Sequence, residues 1–160
     1  MALGMPTDNI SSSDLESAVA RFRAVGSVAT PVEALLLPNW SDDDWKQLFR
    51  FTTTRRVPPG EALIRRGEPG RSLYFVLHGQ LEVIAHSGDG LSLGRMAVVS
   101  AGSVLGEQAF FDAKPRSAGA WAVDDCEVAA MSPEQYTAFE ESNPARARDL
   151  LFALGRILAM

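Results

Sequence analysis

The sequence predicts a mainly β fold with flanking helices: an antiparallel β jelly-roll barrel, or double-stranded β-helix, carried between N-terminal helices and C-terminal helices. Three observations predict it. Between Thr52 and Met131, glycine and proline recur at short intervals and separate brief runs rich in Val, Leu and Ile, the punctuation of short strands joined by tight turns. Before and after that zone, apolar residues recur instead at helical spacing. A chain of 160 residues with 46% hydrophobic content suffices for one ordinary core and hardly for two.

From Met1 to Ser12 the residues are small and polar and read as a disordered leader. Residues 13–51 form a helical segment. Ser13-Asp14-Leu15-Glu16 has capping-box spacing ahead of Ala18, Val19, Phe22 and Val25, so a first helix is expected to end near Gly26. Pro31 and Pro38 punctuate the next stretch. Ser41-Asp42-Asp43-Asp44 then opens a second helix, with carboxylates at its positive end and Trp45, Leu48 and Phe49 on one side. Residues 52–131 form the β-roll. Leu73 to Leu77 and Leu81 to Ala85 are strands on either side of Gly79, Ser87-Gly88-Asp89-Gly90 is a hairpin turn, and Cys126 to Met131 is a late strand. Residues 132–160 return to helix. Ser132-Pro133-Glu134-Gln135 supplies a cap, a proline at the first helical position and an early acid, for a helix running to about Glu141; Asn143-Pro144 starts another. In that last helix Ala147, Leu150, Leu151, Leu154, Ile157 and Leu158 make a broad apolar stripe. Packing on its own barrel and a seam with a second copy are equally compatible with it.

Composition removes several function classes. The net charge of −5 and pI near 5.0 give no overall attraction to nucleic acid or anionic lipid. Cys126 is the only cysteine, which excludes an intramolecular disulfide and a cysteine metal cage and fits a reducing compartment. The N-terminus lacks the basic and apolar regions of a signal peptide, and no apolar run approaches the roughly 18 residues of a membrane helix. A soluble, cytoplasmic protein is expected.

The stretch GEQAFFDAKPRSA, Gly106 to Ala118, carries the chemistry. A small anionic phosphate can be held by backbone N–H groups at a helix N-terminus together with one arginine, and glycine lets the backbone come close. Gly106 to Phe111 can form such a short helix after Val104. Arg116 supplies a forked, permanently charged donor, and Pro115 stiffens the approach to it. A carboxylate beside a phosphate would repel it, so Glu107 needs another task, accepting a hydrogen bond from a ligand hydroxyl such as a ribose 2′-OH. Hydroxyl plus phosphate implies a nucleotide.

Those residues resemble the phosphate-binding cassette of the cyclic nucleotide-binding domain family: Gly-Glu, a short helix, then Pro-Arg, a small or hydroxyl residue, and Ala. Gly106, Glu107, Ala109, Pro115, Arg116, Ser117 and Ala118 match that pattern, in a cassette spanning 104–118. Upstream, VPPGEALIRRGEPGRSLYFVLHGQLEV resembles the family's barrel signature, with Gly60, Gly67, Gly79 and the Leu73-Tyr74-Phe75 strand in their usual places. Two motifs in the right order and separation make the resemblance specific over about Leu48 to Leu158. It implies that Glu107 binds the ribose 2′-OH and Arg116 the cyclic phosphate, with the Gly106 and Ala118 backbones and the Ser117 hydroxyl completing the cradle. The implied ligand is a cyclic nucleotide, cAMP ahead of cGMP. The implied role is a catabolite activator protein-like sensor domain, without a DNA-binding domain or direct nucleic-acid contact, that signals by moving its C-terminal helices against an effector protein or a second subunit. Gln108 departs from the pattern, at a cassette position that is commonly apolar. The alternative is a structural or protein-interaction module of the same fold that does not bind; such relatives usually lack the arginine or the glutamate, and both are here.

Other residues read as structure. His78 and His86 are too few and too scattered for a cupin-type metal site, no Ser/His/Asp or Cys/His arrangement supports nucleophilic catalysis, and no enzyme and no metal are expected. Cys126 is expected to be an inert core thiol. Arg55-Arg56 and Arg65-Arg66 are expected on solvated strand faces, Trp121 facing away from the alanines beside it and packed under a helix, and Trp40 and Trp45 stapling the helical segment to the barrel.

Overall fold

A computed structural model describes residues 10–24, 34–85 and 96–160. The elements are α1 (Ser12–Ala24), α2 (Asp42–Phe49), β1 (Thr53–Val57), β2 (Ala62–Ile64), β3 (Leu73–His78), β4 (Leu81–Ala85), β5 (Met96–Val99), β6 (Val104–Leu105), α3 (Glu107–Asp112), β7 (Ala118–Ala122), β8 (Cys126–Met131), α4 (Pro133–Ser142) and α5 (Pro144–Leu158). The leader through Asn9, Val25 and Gly26 after α1, Pro31, His86 and the Ser87 to Gly90 turn lie outside the described residues. Among the described residues, no helix is long and apolar enough to cross a membrane.

The strands form two antiparallel sheets, ordered β1-β8-β3-β6 and β2-β7-β4-β5. Their inner faces meet over Val57, Leu63, Ile64, Val76, Leu81, Val99, Leu105, Ala120, Ala122 and Val128. The helices cover the outer face of the first sheet. Alternation along β3 sends Val76 inward, while Leu73, Phe75 and Leu77 turn outward into a second cluster with Phe22, Trp45, Phe49, Phe139, Leu150 and Leu154. A strand buried on both faces reads as an unbroken apolar run, which is why LYFVL does.

Local chemistry fixes the helix starts. Three adjacent serines precede the apolar positions of α1, and the cap falls on Ser11 rather than Ser13: its Oγ accepts from the N–H of Asp14 at 3.2 Å and donates to that carboxylate at 2.5 Å. Ser12, expected in the leader, is therefore helical. Farther along α1, Arg21 donates to the carbonyl of Leu77 at the end of β3. Ser132 caps α4 in a complete capping box with Gln135. Trp40 and Trp45 are buried with ring centroids 4.9 Å apart, Trp40 also meets Phe139 of α4 at 6.5 Å, and Phe49 meets Phe75 of β3 at 6.1 Å, so these aromatics join the N-terminal helices to the roll.

Polar contacts fasten α5 to the same helices. Asp149 accepts from the Trp40 indole and from Arg146, both at 3.1 Å, and Arg146 reaches Asp44 at 3.0 Å. Asp44 completes the box that caps α2, accepting from the Ser41 N–H at 2.8 Å. Burial alone would raise the Asp44 carboxyl, but the hydrogen bonds from Ser41 and the Arg146 guanidinium outweigh it and hold the group below its ordinary value of 3.8. A depressed folded value means that this stabilisation is complete above the ordinary value and is lost as pH falls through the folded one. Acid titration followed by far-UV circular dichroism should show that loss; Asp44→Asn should flatten it, and an unaltered acid limb in the variant would show that Asp44 contributes nothing.

Several expectations concern residues outside the site. Cys126 is buried, its thiol donates to the carbonyl of Gln80 at 3.0 Å, and burial, with Asp124 beside it, pushes it up to about 11. It is protonated and unreactive at neutral pH. His78 is exposed, as are Arg55, Arg56, Arg65 and Arg66, with Arg56 paired to Asp125 in solvent. Ala120 and Ala122 are buried in the roll while Trp121 is half-buried on the opposite face, its ring lying across Gly119, where a Cβ would sit 2.4 Å from it.

Candidate functional site

The chain leaves β6, turns sharply at Gly106 and enters α3. Gly106 occupies the left-handed region at φ 87°, and a Cβ there would lie 2.6 Å from the Ser72 carbonyl oxygen and 2.7 Å from a terminal nitrogen of Arg116. Glycine is required twice over, by the backbone angle and by the space. The helix is short because it ends in another left-handed residue, Ala113 at φ 57°, whose N–H bonds the carbonyl of Ala109. Residues 114–117 then lead into β7.

Arg116 is 7% exposed, and backbone fixes it on both sides. Its N–H donates to the Glu68 carbonyl at 2.9 Å and its carbonyl accepts from the Gly67 N–H at 2.8 Å. The guanidinium donates to the carbonyls of Ser72 (2.9 Å) and Gly106 (3.2 Å) and lies 5.6 Å from the centre of the Tyr74 ring. Among the described residues it enters no ion pair. A cation held by neutral carbonyls and an aromatic face is oriented without being neutralised, and its charge stays available to an anion.

Beside it lies a cavity of about 130 Å³. All seven residues singled out in the sequence line it: Gly106, Glu107, Gln108 and Ala109 from the β6–α3 turn, and Arg116, Ser117 and Ala118 from the entry to β7. Glu107 is half-buried in the first turn of α3. Gln108 and Ser117 are exposed, and the Ser117 hydroxyl donates to the Gln108 side-chain oxygen at 3.0 Å. The lining also includes Ile64, Val83, Leu105, Gly119 and Ala120, which the sequence reading did not place among the site residues. Ile64, Val83 and Ala120 belong to three neighbouring strands of one sheet, and alternation along β7 was the available signal for Ala120. Ser72 and Tyr74, which orient Arg116, carried none. The volume is below the roughly 300–1,000 Å³ of sites that enclose a drug-sized ligand, so the recess admits only part of such a molecule.

Among the described residues, no group of three or more His, Cys, Asp or Glu is placed to hold a metal ion. Fold and site together define a ligand-binding β-roll domain, with a short helix and a buried arginine at one end of the space between its sheets. Within that class the chain belongs to the cyclic nucleotide-binding domain family, whose model matches residues 54–143. The chain is 32% identical over 105 residues to a cyclic AMP receptor protein of Thermus thermophilus, covering 65% of this chain and 48% of that one, and so spans about half the length of that curated relative. A solved cyclic nucleotide-binding domain from Methylobacillus flagellatus superposes with a TM-score of 0.75 at 22% identity, over 92% of this chain and 77% of that one, a likeness of fold. The catabolite activator protein of Thermus thermophilus superposes with a TM-score of 0.67 at 27% identity, over 76% of this chain and 56% of that one.

Proposed function

We propose that the chain is a cyclic-nucleotide sensor, with cAMP its ligand ahead of cGMP. The observation that carries the reading is the buried Arg116, in no ion pair among the described residues, beside Gly106 and the first turn of α3, in a recess it shares with Glu107. The cyclic phosphate docks on the guanidinium and the cassette backbone at Gly106 and Ala118, and Glu107 accepts from the ribose 2′-OH. Apolar Ile64, Val83 and Ala120 line the recess around the sugar. The preference for cAMP rests on the names of relatives such as the Thermus thermophilus receptor. Calorimetric titration of nucleotide-stripped protein with cAMP and cGMP tests it. Dissociation constants at or below about 1 μM, some −8 kcal/mol, are expected, and their ratio sets the base preference. Silence with both ligands would leave a non-binding module of the same fold.

Binding is read out through the C-terminal helices. α3 touches α5, the rings of Phe110 and Tyr136 meet at 5.5 Å, and the Tyr136 hydroxyl donates to the carbonyl of Ala147 at 3.3 Å. Shifting α3 therefore disturbs the packing of α5. The stripe on α5 divides: Ala147, Leu150 and Leu154 are buried against the protein's own core, whereas Leu158 is 42% exposed and, with Phe152 outside the stripe at 62%, opens toward an effector protein or a second copy. A ligand shifts such a helix only if it prefers one arrangement. Hydrogen exchange in Leu150 to Leu158 should change on adding cAMP; binding without any change there would confine the ligand's effect to the β-roll.

A further inference from the structure

One polar contact at the site opposes the function just proposed. Ser117 follows the phosphate-binding arginine, yet its single hydroxyl proton is donated to the side-chain oxygen of Gln108, the second residue of α3. Both side chains line the cavity and both are exposed, so the bond lies within reach of a ligand that enters from solvent. A phosphate oxygen is an acceptor only, and a serine hydroxyl has one proton to give. While Gln108 holds that proton, an anion drawn to Arg116 meets the lone pairs of Ser117. Docking the phosphate with full use of Ser117 requires the hydroxyl to leave Gln108 and turn toward the ligand. An apolar side chain at this position would hold nothing back.

We infer that Gln108 sets the affinity of the site, holding the Ser117 hydroxyl away from the ligand phosphate until the phosphate displaces it. The inference rests on the cyclic-nucleotide reading. It makes Gln108 a positioning residue that acts through Ser117, and it predicts a protein tuned to respond at higher nucleotide concentration than its cassette alone would set.

The test is calorimetric titration with cAMP of the wild type, Gln108→Met, Ser117→Ala and the double variant. Methionine keeps the length of the side chain and removes the oxygen. Gln108→Met should bind roughly two- to thirteen-fold more tightly, the net worth of one hydrogen bond that no longer competes. In the Ser117→Ala background the same change should do nothing, because the proton it frees is gone. Equal or weaker binding by Gln108→Met overturns the inference while leaving the sensor reading intact. An equal gain in both backgrounds also overturns it, since methionine would then be acting by direct contact with the base. A wild type that binds neither cAMP nor cGMP removes the sensor reading itself, and this inference with it. Both positions are exposed, and matching thermal unfolding of the four proteins verifies that affinities are compared between folded molecules.

Discussion

Replacing Arg116 by alanine should cost about 2–5 kcal/mol of binding free energy for a cyclic nucleotide, because it leaves a desolvated phosphate without its cationic partner. In a titration that is a loss of roughly thirty-fold to several thousand-fold. The side chain is 7% exposed and its forked donors are aimed by the Ser72 and Gly106 carbonyls, so little of this effect is screened by solvent. Arg116→Lys should recover only part of the loss. An ammonium keeps the charge but cannot hold both carbonyls in a planar fork while presenting an edge to the ligand. If lysine restored wild-type affinity, the guanidinium geometry would be irrelevant and charge alone would explain binding.

The second large effect is expected from Gly106→Ala, which touches no ligand atom through a side chain of its own. A methyl group there would lie 2.6 Å from the Ser72 oxygen and 2.7 Å from the Arg116 guanidinium, and the residue would still have to hold φ near 87°. A strained left-handed alanine costs about 1–3 kcal/mol, and part of the collision is with backbone, which cannot simply swing aside. The variant should therefore unfold at lower temperature and lose nucleotide affinity together, as Arg116 is pushed off its two carbonyls. Alanine at Gly60, where a Cβ meets nothing within 4 Å although φ is also positive, is the matched control. It should lose stability and keep affinity. Full affinity in Gly106→Ala would mean that the tight approach of the turn to Arg116 does not matter for the ligand.

What was legible in the sequence follows from what side chains reveal. Runs such as LYFVL announced their strands, and the acids after Ser41 announced α2, because burial and capping select residue types. That the seven cassette residues share one recess was foreshadowed by glycine, carboxylate and arginine at the spacing of the family's cassette. Backbone partners left no such mark. Any residue could have supplied the carbonyls of Ser72 and Gly106, so the way Arg116 is aimed became visible only with the strands in place. Ala113 hid the end of α3, since a left-handed stop is usually written as glycine. The cap of α1 was misplaced because Ser11, Ser12 and Ser13 are chemically equivalent candidates. The bond between Ser117 and Gln108 joins two exposed side chains brought together by the turn, a contact that residue types alone do not specify.

The indole of Trp40 has a use beyond packing. Its N–H is bonded to Asp149, a carboxylate carried by α5, and its ring lies against Trp45, whereas Trp121 sits apart on the outer face of the roll. An indole bonded to a charged group emits at a wavelength and intensity that depend on that charge's position. The protein thus contains an intrinsic fluorophore bonded to α5, and replacing Trp121 by phenylalanine would leave the Trp40–Trp45 pair as its only emitting indoles. The proposed response of α5 to a ligand would then be tested in real time and in unlabelled protein, over the microsecond-to-second range of such transitions.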